Sequence, residues 1–460
     1  MEKKTVVELR AILKENGLPV TGIKSELIAR IKENNLDSSS DPKPKTVTRK
    51  RAEKASPPTE SAEPVPAKRA KTGRGEWKRE GNLLILTPPE LADKGNKAIV
   101  SFDMDDTLIT TKSGRVFAKD KDDWVWLYNK IPEKLRDIHA REGKKLVIFT
   151  NQGGINGSKG YDKAKEASIL GRIEAMLNAL PGVPVQVFVA TTDDSYKKPS
   201  TGMWDAMVAR HNGNVAPDLS ACVFVGDAAG RPASPSRHRG KKDFSCSDRK
   251  FARNVGISFA TPEEFFLGEK PAEFDWDSAD PADYPEDSDA EKAAAEAAIG
   301  RKGQEVIVFV GFPASGKSTF CKRHLIPRGY VWINRDTLKT QDNCMKLARS
   351  TLSDGKSVVV DNTNPSKDAR KAYIDIAKKA GVPVRCFRFD TDEKLAVHLN
   401  YFRERITNGT SPHVPTIGYS TYKKKFEEPV LAEGFDDIVH VKFIANFDSD
   451  DAKKSFSMLH

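Results

Sequence analysis

Three carboxylates and a hydroxyl close one short apolar run, in Lys97-Ala-Ile-Val-Ser-Phe-Asp-Met-Asp-Asp-Thr-Leu108. Asp103, Asp105 and Asp106 are near enough in sequence to repel one another unless a cation neutralises them, and a hard ion such as Mg²⁺ suits an all-oxygen site. An Asp-rich turn that merely ends a strand has the same composition, so residues downstream decide between the two. Thr150, Lys198 and Asp227 are those residues. With Asp103, Asp105 and Thr107 they supply what phosphoryl transfer needs. One carboxylate can attack phosphorus, and another two residues on points to the same side of an extended turn. That second acid can protonate the leaving alkoxide and then activate water. The Thr150 hydroxyl and the Lys198 ammonium can hold the equatorial oxygens, where charge spreads. Asp227 completes a Mg²⁺ site with Asp103 and the Asp105 backbone carbonyl.

A second constellation lies in Gly311-Phe-Pro-Ala-Ser-Gly-Lys-Ser-Thr319. The spacing of Gly311, Gly316, Lys317 and Ser318 is that of a phosphate-binding loop. Backbone N–H groups of Ala314, Ser315 and Gly316, in a loop that also holds Pro313, would cradle phosphates at a helix start, with Thr319 in its first turn. Lys317 would reach the β- and γ-phosphates and Ser318 would coordinate Mg²⁺, which makes ATP a substrate. Arg335-Asp336 follows the next apolar run, and Asp336 there suits a base for an acceptor hydroxyl. Asp361-Asn-Thr-Asn364 closes a further run, with no role assigned. Leu399-Asn-Tyr-Phe-Arg-Glu-Arg405 reads as a helix. Its Arg403 is either a lid arginine that stabilises transferring charge or part of a solvated face.

These residues must be held by strand ends. Ala98 to Phe102 is short, apolar and β-rich, as suits a parallel sheet covered on both faces. Residues 145–149, 185–190 and 221–225 repeat the pattern, with helical periodicity at 132–141 and 163–180 between them. Open α/β sheets bind ligands at their carboxyl ends, where the acids fall. The fold class expected is therefore α/β. Two doubly wound parallel-sheet domains occupy 81–268 and 303–446, joined by an acidic linker at 269–302 with a short helix near 290–298. A tail covers 447–460.

A small helical unit precedes them at 1–35, where Thr5 and Glu8 have capping-box spacing and Val6, Leu9, Ile12 and Leu13 recur at helical period. The run Val7-Glu-Leu-Arg…Gly17-Leu-Pro…Gly22-Ile-Lys-Ser-Glu-Leu27 resembles the SAP motif, a helix–loop–helix associated with DNA binding; an ordinary amphipathic hairpin is the alternative. Residues 36–80 are rich in Ser, Pro, Lys and Arg and are expected to be disordered. Their clusters Arg49-Lys-Arg51 and Lys68-Arg-Ala-Lys71 read as a bipartite nuclear-import signal, or as a solvated linker that adds phosphate affinity. A net charge of +10 suggests a polyanionic partner. Five scattered cysteines without a C-x-x-C pair argue for reduced thiols, not a disulfide framework or zinc site. No apolar run approaches the roughly 18 residues of a membrane span, and Met-Glu-Lys-Lys is not expected to open a signal peptide.

The order Asp103/Asp105, Thr150, Lys198, Asp227 resembles the haloacid dehalogenase superfamily of aspartate-nucleophile phosphatases. The resemblance implies Asp103 as nucleophile, Asp105 as general acid/base and Asp227 as metal ligand. The chain departs from that pattern at Asp106, where Gly is frequent, and in the basic insertion 231–242 before Asp243 and Asp248. Asp248 reads as a supporting hydrogen-bond acceptor or a helix cap, and the insertion as a strand-binding edge or a surface loop. Phosphatase followed by kinase resembles the metazoan-type polynucleotide kinase 3′-phosphatases. The likeness also rests on Ile109-Thr-Thr-Lys-Ser-Gly-Arg-Val-Phe117, Lys198-Pro-Ser-Thr-Gly-Met-Trp204, Val225-Gly-Asp-Ala-Ala-Gly-Arg-Pro232 and Asn334-Arg-Asp-Thr-Leu338. It implies 3′-phosphate removal and 5′-phosphorylation at DNA strand breaks (nicks, gaps and double-strand ends). The import-like clusters make the nucleus the expected location, and a non-membrane monomer with other break-repair proteins as partners is expected. An RNA end-healing enzyme, or a DNA-bound scaffold with vestigial sites, stays open as an alternative.

Overall fold

The computed structural model describes residues 75–460 except 235–239, 301–302, 408–409 and 412; of the first 74 residues it describes Ile12, Leu13, Asn16, Ile28 and Ile31. The SAP-like hairpin and most of the basic linker, with its import-like clusters, therefore lie outside the described residues. Residues 1–67 and 68–460 form separate units, and both large sheets belong to the second.

Seven strands build the first sheet: β1 (Glu76–Glu80), β2 (Leu83–Thr87), β3 (Ile99–Phe102), β4 (Lys145–Asn151), β5 (Val185–Ala190), β6 (Val223–Val225) and β7 (Ser258–Ala260). They lie in the order β1-β2-β5-β4-β3-β6-β7, parallel from β5 to β7, with β1 and β2 antiparallel at one edge. Helices α1 (Ile131–Ala140), α2 (Lys163–Asn178), α3 (Gly202–Arg210) and α4 (Ser247–Val255) accompany it. Residues alternate between two cores across the sheet. Val100, Phe102, Leu146 and Ile148 pack on one face, and Ile99, Val147 and Phe149 on the other. β1 begins inside the stretch expected to be linker. Its sequence is polar, but Trp77 packs on the core and donates from Nε1 to Glu174 at 2.9 Å, which ties the edge strand down.

The second sheet is wholly parallel: β8 (Val306–Val310), β9 (Val331–Ile333), β10 (Val358–Val360), β11 (Val384–Phe389) and β12 (Asp437–Val441), in the order β9-β10-β8-β11-β12. The acidic connection contributes α5 (Ser288–Ile299), which buries Ala295 and Ile299. Then come α6 (Lys317–Phe320), α7 (Arg335–Leu338), α8 (Gln341–Ser353), α9 (Lys367–Ala380), α10 (Glu393–Ile406) and α11 (Thr416–Lys425). The stretch expected as a tail holds α12 (Asp450–Phe456), whose Phe456 joins Leu395 and Leu399 of α10 in a small core. The architecture is α/β, with two doubly wound parallel-sheet domains. No helix among the described residues is long and apolar enough to cross a membrane.

Candidate active sites at two sheet ends

Register brings Asp103, Thr150 and Asp227 together. Phe102 stands beside Ile148 on one side and Val225 on the other, so Asp103, Thr150 and Asp227 emerge from three adjacent strands at one level. Asp103 N donates to Val225 O at 2.9 Å, fixing the exit of β3. Lys198 is buried, with Nζ 2.7 Å from Asp103 Oδ1 and 2.7 Å from Asp248 Oδ1. Burial lowers the ammonium's proton affinity, but Asp103 and Asp248 outweigh that and hold it above its ordinary pKa. Asp103 moves up to about 7, through burial first and repulsion from Asp248 and Asp105 next, with Lys198 opposing.

Oxygens of Asp103, Asp227 and Asp248 all lie within 4.8 Å of one another. Three carboxylates against one ammonium leave excess negative charge, so the donor set fits a hard divalent cation. Thr107 braces this group. Its Oγ1 accepts from Asp227 N at 3.0 Å, and its hydroxyl points to Asp227 Oδ1 at 3.4 Å. Gly226 leaves room for Asp248, because a Cβ there would fall 2.4 Å from Asp248 Oδ2.

The Asp105 carboxylate faces elsewhere. It is partly exposed, with Arg172 Nη1 at 3.1 Å and Gln152 Nε2 donating at 2.8 Å. Gln152 also donates to Thr150 Oγ1 at 3.0 Å, so one amide spaces the acid from the hydroxyl. The extra acid, Asp106, adopts φ +55°. Its side chain offsets the cost of that left-handed backbone locally, accepting from Thr110 Oγ1 at 2.9 Å while its N–H donates to Ile109 O at 2.7 Å.

Sequence reasoning gave Asp248 a lesser place. It does accept a hydrogen bond, from Ala228 N at 3.1 Å, but the helix cap is Cys246, and Asp248 stands within the acid cluster. Arg172 and Gln152 were missed. The signal for Arg172 was an arginine inside the apolar stripe Ile169, Ile173, Met176 of α2. Asp243 is taken up by the buried Arg231, which it meets at 2.7 Å, so the insertion is pinned at its base. Residues 235–239 of that insertion lie outside the described ones. Lys112, Arg115 and Lys119 lie beyond the acids, Arg115 exposed on the loop after β3.

The second site forms where β8 turns into α6. Ala314 and Gly316 take φ +58° and +90°, which turns successive backbone N–H groups inward, and a Cβ on Gly311 would meet Phe389 and Ser315 at 2.9 Å. Lys317 Nζ folds over the loop to Gly311 O and Ser315 Oγ, both at 3.1 Å, and to Phe312 O. Burial brings its pKa down to about 8. Ser318 Oγ donates to Asp361 Oδ2 at 2.6 Å, and Trp332 Nε1 donates to the same oxygen at 2.9 Å. Asp361, at the end of β10, is the site acid that the sequence left without a role. Ser318 and Asp361 together present oxygens suited to a magnesium–nucleotide complex.

A cavity of about 300 Å³ opens beside the loop, lined by Ala314 to Phe320, Leu399, Phe402, Arg403 and Phe443, among others. Arg403 therefore faces the phosphate loop from α10, whereas Arg405 turns to Ser455 O and His460. Asp336 lies apart from that lining. It is exposed on α7, just beyond β9, two strands from β8. Gly311 and Pro313 shape the loop without lining the cavity.

Comparison with known proteins agrees with this division. A family described as polynucleotide kinase 3 phosphatase matches residues 98–266, an AAA domain matches 306–429 and a SAP domain matches 1–35. The chain is 36% identical over 370 residues to the bifunctional polynucleotide phosphatase/kinase of Schizosaccharomyces pombe, covering 80% of this chain and 85% of that one. It is 36% identical over 380 residues to a putative bifunctional polynucleotide phosphatase/kinase of Acanthamoeba polyphaga mimivirus, covering 78% and 87%. Polynucleotide 3′-phosphatase ZDP of Arabidopsis thaliana is 37% identical over 202 residues, 42% of this chain and 27% of that one. With the acid–lysine cluster in one domain and the phosphate loop in the other, the chain belongs to the bifunctional polynucleotide phosphatase/kinase family.

Proposed function

We propose that this enzyme repairs DNA strand breaks by hydrolysing 3′-phosphate ends and phosphorylating 5′-hydroxyl ends with ATP. The observation that carries the reading is Lys198 Nζ at 2.7 Å from both Asp103 and Asp248, a cation held where a phosphoryl group and its nucleophile meet. Asp103 Oδ attacks phosphorus and the P–O3′ bond breaks. Asp105 gives its proton to the leaving 3′-oxygen. Water then attacks the aspartyl phosphate while Asp105 takes a proton back, releasing phosphate and restoring Asp103. Thr150 and Lys198 hold the equatorial oxygens. Asp103, Asp227, Asp248 and the Asp105 carbonyl would hold Mg²⁺, which when bound supplies charge neutralisation at the phosphoryl oxygens.

In the kinase, Asp336 takes the proton from the 5′-hydroxyl, whose oxygen bonds to the γ-phosphorus as ADP leaves. Lys317 and Arg403 meet the charge that develops, and Ser318 with Asp361 would hold the nucleotide's Mg²⁺. Support for DNA comes from the SAP match at 1–35 and the net charge of +10. The basic clusters at 49–51 and 68–71 support a nuclear enzyme.

The deciding experiment offers matched nicked DNA and RNA duplexes bearing 3′-phosphate and 5′-hydroxyl, with Mg²⁺ and ATP. Both DNA ends should be converted, and Asp103→Asn should abolish dephosphorylation while 5′-phosphorylation stays within about threefold. Preference for RNA would establish the end-healing alternative. Conversion of neither substrate would leave a scaffold.

A further inference from the structure

Asn254 stands where three segments meet. Its Nδ2 donates to Pro199 O at 2.9 Å and to Leu459 O at 2.9 Å, and its Oδ1 accepts from Leu459 N at 2.8 Å. Pro199 follows the lysine that touches Asp103. On the other flank, Asn151 grips the Lys198 main chain, accepting from its N–H at 2.9 Å and donating to its C=O at 3.0 Å. The Lys198–Pro199 backbone is thus held at Lys198 from β4 by Asn151 and at Pro199 from α4 by Asn254. The same helix α4 carries Asp248.

The residue after Leu459 faces the other domain. The His460 ring lies on Tyr401 with centroids 4.7 Å apart and planes 7° from parallel. Arg405 Nη2 meets its Nδ1 at 3.2 Å, and Arg405 Nη1 donates to Ser455 O at 2.8 Å. Burial holds the imidazole well below its ordinary pKa, so it is neutral and can accept. Arg405 has no carboxylate within salt-bridge distance among the described residues, which makes these two acceptors its compensation for burial. Lys250 of α4 adds a bond to the His460 main-chain oxygen. Tyr401 and Arg405 flank Arg403 on α10, the helix that lines the nucleotide cavity.

We propose that Leu459 and His460 form a strap that positions the Lys198–Pro199 turn of the phosphatase and the arginine helix of the kinase together, with Asn254 and His460 as positioning residues for both reactions. Two consecutive residues span about 7 Å at most, too short a link to absorb slack between its ends. Movement at either anchor therefore reaches the other. The inference rests on the proposed function for the two activities that report on it.

The test uses the full chain and its variants Asn254→Ala, His460→Ala and His460→Phe, well below their melting temperatures, on a short oligonucleotide with 3′-phosphate and 5′-hydroxyl ends. Asn254→Ala should lower phosphatase kcat about tenfold with KM within about twofold, and should also lower kinase kcat several-fold. His460→Ala should show the reverse weighting, and His460→Phe, which keeps the ring stack, should recover most of the kinase loss. Amide hydrogen exchange should speed up at residues 197–202 and 400–407 together in both alanine variants and stay unchanged elsewhere. A loss confined to the nearer site in each variant would overturn the strap. So would exchange that rises throughout, or only within 447–460. Wild-type protein lacking either activity would instead overturn the proposed function, and the exchange pattern would still decide on the strap.

Discussion

Arg172, on the middle turns of α2, lies 3.1 Å from Asp105 Oδ1 and fixes the second acid of the phosphatase away from the cluster formed by Asp103, Asp227 and Asp248. The guanidinium is nearly buried and the carboxylate about half exposed, so the pair turns one Asp105 face to the protein and leaves the other to solvent.

Arg172→Met should therefore leave the fold intact but free Asp105 to swing. Phosphatase kcat is expected to fall ~10- to 100-fold, within the usual contribution of a positioned acid, with the kinase unchanged. Arg172→Lys should recover part of the loss, since a point charge replaces a fork. Steady-state kinetics on a 3′-phosphorylated oligonucleotide would check this, and a normal kcat in Arg172→Met would remove the residue from the mechanism.

Kinase loss should be separable from phosphatase loss. Lys317→Ala removes the buried ammonium above the phosphate loop and should weaken both nucleotide binding and transfer. Asp336→Asn should spare nucleotide affinity yet cut transfer by ~10²–10⁴. Calorimetric ATP titration beside single-turnover phosphorylation distinguishes the two. Normal transfer in Asp336→Asn would show that another group accepts the proton.

A truncation that tests the amino-terminal region must stop before β1, because Glu76–Glu80 pairs with Leu83–Thr87 and Trp77 packs on the core. Removing residues 1–74 should weaken binding to long duplex DNA and flatten its salt dependence, since each lost phosphate contact removes a nearly fixed increment of slope. Turnover on a saturating short oligonucleotide should hold. Binding isotherms at several salt concentrations would decide, and an unchanged slope would mean that the region makes no phosphate contacts.

The small core around α12 should be acid-sensitive. His398 is buried against Phe456, its ring centroid 4.8 Å away, and burial takes its pKa down to about 4 from 6.5. The unfolded chain binds this proton first as pH falls. The stabilisation is complete above about 6.5 and is lost as pH falls towards 4, at up to ~1.4 kcal/mol per pH unit. Chemical denaturation at pH 7 and pH 5 should show a smaller loss in His398→Leu than in the wild type. Equal losses in the two proteins would place the acid sensitivity elsewhere.

The sequence by itself determined what is local. Gly311 to Thr319 is contiguous, so its spacing alone specifies a loop that wraps phosphate, and Asp103 to Thr107 lies on a single turn after a single strand. Buried apolar runs made the α/β class legible, because a parallel sheet covered on both faces needs them. Polar β1 carried no such signal, and its strand exists through pairing and one anchored tryptophan. Only the tertiary structure decided what depends on meeting across the chain. Asp248 joins Asp103 across 145 positions because β6 pairs with β3 in a fixed register and the start of α4 is tied to Ala228 just beyond β6, Asp361 reaches Ser318 from a neighbouring strand, and Arg172 reaches Asp105 from a helix. A side chain's partner over such separations is set by strand order and helix rotation. Those follow from the packing of whole layers, which no short spacing records.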